Sequence, residues 1–134
     1  MSDSAVSIRR LSPEGMPRPY GYSQVVDVRG GRTVYVSGQV PLDERNELVG
    51  AGDFEAQARQ TFENVRRALD AVGLTFDDVV KVQMYLTDMG NLLALRDVRD
   101  EFVNTAQPLA STTVQVAALF RPDVLFELDV IAVG

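Results

Sequence analysis

The chain has 134 residues, 46% of them hydrophobic, and its formal net charge is -6 at pH 7. This composition predicts a single domain over residues 1–134 with its own hydrophobic core. The chain has no cysteine and no histidine, which excludes disulfides, thiolate nucleophiles and the commonest general base and metal ligands. The negative charge disfavours nucleic acid as a partner, because phosphate backbones attract clustered Lys and Arg.

The sequence also argues against a membrane partner. No apolar run approaches the roughly 20 residues needed to span a bilayer, and the N-terminus lacks the basic and then apolar layout of a signal peptide. We therefore expect a cytoplasmic protein. The acidic residues do not follow an EF-hand spacing, and no metal or other cofactor is expected.

The first elements in the chain are an arm and a predicted β-hairpin. Residues 1–20 contain Ser, Pro and Gly without a regular period and are interpreted as an extended N-terminal arm. Residues 21–28 and 33–43 place β-branched and aromatic residues on a strand period, and residues 29–32 between them form a glycine turn. This spacing predicts that the two strands pair with each other as a hairpin.

The second of these strands runs into Ser37, Gly38 and Gln39. A glycine lets a ligand approach the backbone closely, and the serine and glutamine supply polar groups on either side of it. This segment is therefore predicted to line a cleft.

Two helices and three further strands follow. Asp53 is placed as the N-cap and Gly73 as the stop of a first helix, whose apolar face is Phe54, Ala58, Phe62, Val65, Leu69 and Val72. A strand over 77–87 alternates between an apolar face (Val80, Val82, Met84 and Leu86) and a polar face (Lys81, Gln83 and Tyr85).

A second helix over 91–104 follows a cap at Asp88, and its Arg96 and Arg99 lie beside the apolar stripe. Strands over 111–119 and 125–133, joined by a turn at 121–123, complete the chain. The predicted order is ββαβαββ, an α+β fold in which two helices cover one face of a mixed sheet.

Five segments, in order along nearly the whole chain, resemble the RidA (YjgF) family, also called endoribonuclease L-PSP. They are Gly-Tyr-Ser-Gln at 21–24, Val-Ser-Gly-Gln-Val-Pro at 36–41, Gln-Ala-Arg-Gln-Thr-Phe-Glu-Asn-Val at 57–65, Val-Val-Lys-Val at 79–82 and Phe-Glu-Leu-Asp-Val-Ile-Ala-Val at 126–133. The resemblance implies a chorismate-mutase-like fold, a homotrimer and three clefts between subunits. It also gives the polar face of the 77–87 strand two interpretations, a subunit interface or a solvated surface.

One departure from the family pattern concerns the substrate. In the deaminases of this family, a Pro-Ala-Arg-Ser run supplies an arginine that pairs with the substrate carboxylate through a bidentate fork. This chain has Pro-Leu-Ala-Ser-Thr-Thr at 108–113, which puts Ser111 at the position of that arginine. The chain thus resembles the arginine-lacking subgroups, and an altered substrate is expected because a hydroxyl carries no charge.

The resemblance implies roles for several other residues. Tyr22 matches the family's tyrosine, the segment 37–39 matches its cleft strand, and Glu127 matches the glutamate that positions the attacking water. Thr113 stands where a cysteine is common, and Arg96 stands where an asparagine approaches the cleft.

Alternatives stay open at these positions. Glu127 lies among apolar neighbours, where desolvation favours the protonated form, but an ordinary paired surface acid has the same pattern. Arg96 could restore the missing cation or lie on a helix flank, and Ser111 could bind a ligand or be an ordinary strand residue. The main hypothesis is a hydrolase or deaminase acting on an imine, an enamine or a related metabolite.

Two other functions remain for comparison. The first is a non-catalytic trimeric protein that binds a small ligand in the same clefts. The second is the ribonuclease activity of the family's older name, which the acidic charge and the absence of histidine disfavour.

Overall fold

The computed structural model describes residues 5–134, which contain six strands and two α-helices. The first four residues of the predicted arm lie outside this range. The elements are β1 (Ser7–Leu11), β2 (Val25–Arg29), β3 (Thr33–Gln39), α1 (Phe54–Asp70), β4 (Val79–Leu86), α2 (Leu92–Asp100), β5 (Ala110–Gln115) and β6 (Phe126–Val133). Short 3₁₀ turns, Phe76–Asp78 and Met89–Asn91, precede β4 and α2.

The main sheet has four strands in the order β3-β6-β4-β5. Strand β6 is antiparallel to both of its neighbours, whereas β4 and β5 are parallel and are joined through α2. A parallel pair needs such a crossover, because a tight turn can connect only antiparallel neighbours. The predicted α+β class, with a mixed sheet and two helices, is confirmed.

The predicted hairpin is wrong. Strand β2 pairs with β1 in a separate two-stranded sheet, and β3 pairs with β6. The glycine turn is present, with positive φ angles at Gly30 and Gly31, but it carries the chain from one sheet to the other. A turn determines where the chain reverses, and the competing partners of each strand determine the pairing. The partner of β2 is β1, which lies within the segment interpreted as an irregular arm.

Helix α1 forms as its sequence predicts. The Asp53 side chain accepts a hydrogen bond from the backbone N–H of Ala56 at 3.1 Å, which caps the first turn. Gly73 has φ +77°, and the N–H of Leu74 returns to the carbonyl of Leu69 at 2.9 Å, so the chain leaves the helix through a left-handed glycine. The predicted apolar face is buried apart from Val72, which packs partly buried against the core.

The other elements differ from prediction mainly at their ends. In β4 the predicted apolar side chains are all buried, and the polar ones alternate with them at intermediate exposure. Helix α2 ends at Asp100, four residues before the predicted end, although Phe102 still stacks on Phe62 in the core. Strand β5 ends at Gln115 and lies beside β4, so the turn at 121–123 does not join neighbouring strands.

The two faces of the main sheet are different surfaces. The helices cover one face, where Val82, Leu128 and Val130 are buried. The opposite surface, here called the open face, consists of the alternate side chains of the same strands: Tyr35, Lys81, Gln83, Tyr85, Val114, Glu127, Asp129 and Ile131. Tyr35 is 76% exposed, and Val114 is also exposed. Large apolar side chains so exposed on the face of a sheet are typical of a surface that binds a partner.

Candidate functional site

A cavity of about 350 Å³ lies between the edge strand β5 and helix α2. Ser111 and Thr113 line it from β5, and they pair in register with Val82 and Met84 of β4. Because paired residues point to the same face of a sheet, these two side chains lie on the helix-covered face. The complete lining is Tyr20, Tyr22, Met84, Met89, Leu92, Leu95, Arg96, Arg99, Ser111 and Thr113.

The segment before β2 closes one side of this cavity. The backbone N–H of Ser23 donates to the carbonyl of Leu109 at 2.8 Å, and its hydroxyl donates to the carbonyl of Pro108. These two bonds fasten the segment to the start of β5. The neighbouring Tyr22 is thereby brought to the cavity, and its role in ligand binding stays a prediction.

Helix α2 supplies the opposite wall. Leu92, Leu95, Arg96 and Arg99 are spaced three to four residues apart and so share one face of the helix. At its N-terminal end, the N–H of Met89 donates to Gln115 Oε1 at 2.8 Å, which ties the helix to the end of β5. The predicted site residue Arg96 therefore lines the same cavity as Ser111.

The prediction missed Arg99. Its side chain is only 6% exposed, and its Nε donates to Asp100 Oδ1 at 3.0 Å. Gly21 lies directly against the guanidinium, with φ +77°, and a Cβ at that position would overlap Arg99 Nη2. The spacing of three residues from Arg96 was the available signal. However, only the docking of residues 20–23 onto α2 shows that Arg99 is buried at the cavity.

The remaining predicted residues form a second group, at the β3–β6 pair. The register between these strands shifts between Val36 and Gln39, which takes Ser37 and Gly38 out of regular pairing. A Cβ on Gly38 would overlap the carboxylate of Glu127. Glycine at this position therefore leaves the room that the Glu127 side chain occupies, while Gln39 Nε2 donates to the carbonyl of Ser37 at 3.2 Å.

The environment of Glu127 favours its protonated form. Partial burial raises the pKa of this carboxyl group, and the negative charge of Asp129 on the same strand face raises it further. Asp129 in turn accepts a hydrogen bond from the Tyr85 hydroxyl at 3.1 Å, and burial together with this bond raises the pKa of Tyr85. A carboxyl group with a raised pKa can exchange a proton with water closer to neutral pH than an ordinary glutamate.

The two groups do not meet within one chain. Tyr22, Arg96, Ser111 and Thr113 lie at the cavity on the helix-covered face. Glu127 lies on the open face, because the residues on either side of it, Phe126 and Leu128, are fully buried toward the helices. A ligand in this cavity is thus separated from the Glu127 carboxylate of the same chain by the sheet itself.

The described part of the chain also bears on metal binding and on membrane crossing. Within residues 5–134, no group of three or more acidic side chains lies close enough together to hold a metal ion. Neither α-helix in the same range has the length and apolar character needed to cross a bilayer.

Comparison with known proteins places the chain in a family. The family model described as Endoribonuclease L-PSP matches residues 16–134. A RutC family protein of Pyrococcus horikoshii is 36% identical over 89% of this chain and 92% of its own length. A 2-iminobutanoate/2-iminopropanoate deaminase of Dermatophagoides farinae is 38% identical, covering 83% of this chain and 85% of the relative.

A 3-aminoacrylate deaminase, RutC, of Acinetobacter baylyi is 36% identical over 91% of this chain and 94% of that protein. Among solved structures, YyfB of Yersinia pestis, a Rid family protein of unknown function, superposes with a TM-score of 0.85 at 32% identity, covering 95% of this chain and 98% of that one. With the family model matching nearly the whole chain, the fold and the relatives agree: this chain belongs to the RidA/YjgF family.

Proposed function

We propose that this protein is a small-molecule hydrolase of the imine and enamine deaminase type, with each site built by two subunits. One subunit supplies the cavity, and a neighbouring subunit supplies Glu127. The observation that carries the proposal is the Glu127 carboxyl group, whose pKa is raised on a face that holds no part of the cavity. The family relatives that deaminate 2-imino acids and 3-aminoacrylate support the reaction class.

The proposed reaction needs only water and one proton carrier. The water oxygen forms a bond to the carbon of the C=N group while the Glu127 carboxylate accepts a proton from that water. Glu127 then gives this proton to the nitrogen, which yields a carbinolamine. As the hydroxyl proton of the carbinolamine passes through Glu127 to the same nitrogen, the C=O bond forms, the C–N bond breaks, and a carbonyl compound and ammonia leave. Binding by Tyr22, Ser111 and Thr113 would hold the substrate in place, and no redox step or cofactor is required.

A homotrimer is the proposed assembly. The exposed Tyr35 and the partly exposed Tyr85 and Gln83 lie on the open face, which the helices of the same chain do not cover. Packing this face against neighbouring subunits would bury it and could bring each Glu127 to the cavity of another subunit. A small molecule is the only other partner proposed, and a cytoplasmic location without nucleic-acid or membrane partners stays a prediction from composition.

The substrate is proposed to differ from that of deaminases that carry the family arginine. Ser111 lines the cavity at that position with a neutral hydroxyl, which cannot form a bidentate pair with a carboxylate. We therefore expect simple 2-imino acids to be poor substrates, unless a cation elsewhere in the cavity binds their carboxylate.

Ammonia release from a panel of imines tests this function. The panel combines 2-imino acids, generated in place by an amino acid oxidase, with imines that lack a carboxylate, generated in place by an amine oxidase, and the loss of each is compared with a buffer blank. Glu127→Gln should lower turnover by about 10²-fold or more, since it removes the proton carrier while preserving shape. Glu44→Gln is the matched control, because Glu44 is an exposed loop residue.

Turnover that is unchanged in Glu127→Gln would exclude the proposed role of this residue. A protein that hydrolyses none of the panel but binds small acids would instead match the alternative, a non-catalytic trimeric ligand-binding protein. The neutral side chain at position 111 is the observation that favours this alternative.

A further inference from the structure

We propose that the carboxylate-binding group of the cavity is Arg99 of α2, assisted by Arg96, and that the cavity accepts a small organic monocarboxylate. The anion would thus be bound from the helix wall, opposite the strand that carries Ser111. The inference deepens the proposed function and rests on it only for the reaction that the bound acid undergoes. Binding itself can be measured without turnover.

Arg99 is a buried cation that uses only part of its hydrogen-bonding capacity within the chain. A charged side chain is costly to bury unless its donors find partners. The Arg99 side chain is 6% exposed, and within residues 5–134 only its Nε has a hydrogen-bond partner, Asp100 Oδ1. Neither terminal nitrogen is an enclosed, unpaired atom, so both are open at the cavity that Arg99 lines and can bind a ligand there. A pair of parallel N–H donors from one guanidinium matches the two oxygens of a carboxylate.

Arg99 also has a suitable position in the cavity. Arg99 lines the cavity together with Arg96, one helical turn away. Its guanidinium is confined by the backbone of Gly21, where any side chain would overlap it. A cation held in place by its surroundings loses little conformational freedom when it binds, which is the property expected of a built anion site.

The charge and polarity of the cavity wall fit a small monocarboxylate. Arg96 and Arg99 are the charged residues that line the cavity, and Asp100 pairs with one of them from a side chain that is 44% exposed. About one positive charge is left, which fits a monoanion better than a dianion. The remaining wall is largely apolar and fits a short hydrocarbon chain, being formed by Met84, Met89, Leu92 and Leu95.

Calorimetric titration with butanoate, its neutral analogue butanamide and inorganic phosphate tests the proposal on the intact protein. Butanoate should bind at least about tenfold more tightly than butanamide, because a charge-assisted pair is lost in the amide. Phosphate should bind more weakly than butanoate. Equal affinity for butanoate and butanamide would overturn the anion site, and tighter binding of phosphate would overturn its assignment to a carboxylate.

Variants then identify the residue. Arg99→Gln should weaken butanoate binding about tenfold or more, Arg96→Gln should weaken it less, and Ser111→Ala should change it by less than about threefold. Arg67→Gln is the matched control, because it removes the same charge from an exposed position on α1. A larger loss in Ser111→Ala than in Arg99→Gln would assign the ligand to β5 and reject the proposal.

If thermal unfolding shows that Arg99→Gln does not fold, Arg99→Lys is tested in its place. The lysine keeps a cation at the buried position but lacks the fork, so butanoate binding should weaken severalfold. Unchanged affinity in both Arg99→Lys and Arg96→Gln would overturn the inference. Binding that depends on Arg99 without any imine hydrolysis would reject the proposed function alone, and hydrolysis with a KM unaffected by Arg99→Gln would reject this inference alone.

Discussion

The two faces of the main sheet carry different halves of the chemistry. The helix-covered face has a cavity lined by two arginines, two tyrosines and two hydroxyl side chains, but no carboxyl group lines it. The open face has Glu127 with its raised pKa, but it lies outside that cavity. Binding groups and the proton carrier are thus separated by one layer of backbone. The proposed function joins the two groups by assembly, with the cavity from one chain and Glu127 from another.

Mixing two inactive variants tests most directly whether the cavity and the Glu127 of one site come from different chains. Glu127→Gln should retain the cavity, and Arg99→Gln should retain the carboxyl group, so each homotrimer should have little activity. If two subunits form each site, about a quarter of the sites in randomly mixed trimers combine an intact cavity with an intact Glu127. Refolding the two together and measuring ammonia release should recover about that fraction of the natural activity.

Recovery is compared with each variant refolded alone. A mixture no more active than the sum of its components, in trimers shown to have exchanged subunits, would mean that both groups act within one chain.

A substitution on the open face tests the assembly itself. Tyr35→Lys places a charge on a side chain that is 76% exposed in the single chain. A charge buried between subunits without a partner is destabilising, so the trimer should dissociate and turnover should fall with it. Light scattering measures the change, from three times the chain mass of 14.7 kDa to a single chain.

Leu93→Lys is the control for this change. Leu93 is 71% exposed on α2, away from the open face, and the variant should keep the mass of the natural protein. A natural protein that is already monomeric at micromolar concentration would remove the inter-subunit site altogether.

The smallest expected effect concerns stability and pH. Burial and Asp129 raise the pKa of Glu127 in the folded protein, so the folded state binds this proton more tightly than the unfolded state. The stabilisation that this proton gives is complete at pH values below the pKa of Glu127 in the unfolded chain. It is lost as the pH rises through the pKa of Glu127 in the folded protein. At neutral pH, Glu127→Gln should therefore be more stable than the natural protein, by a few tenths of a kcal/mol since the group is partly exposed.

Urea unfolding at a series of pH values measures this difference. The gain should disappear in acid, below the ordinary pKa of a glutamate. A gain that grows as pH falls would show that the sign of the shift is wrong.

The elements whose pattern is local could be predicted from the sequence. The stripe of α1, its cap at Asp53 and the alternation in β4 were all predictable, because each depends on residues a few positions apart. The family could also be identified from short segments that occur in the family's order along the chain. The positions matched to the family's site were named in the same way, although their roles here are proposals.

The pairing of the strands and the set of side chains that share a cavity could not be predicted in this way, because both depend on the folded chain. Strand β2 met β1 instead of β3, because pairing depends on competing partners far apart in the chain. Arg96 and Arg99 were visible in the sequence, but the burial of Arg99 follows from residues 20–23 bonding to the start of β5. The opposite placement of Ser111 and Glu127 likewise follows from strand register, because a shift of one residue exchanges the two faces of a strand.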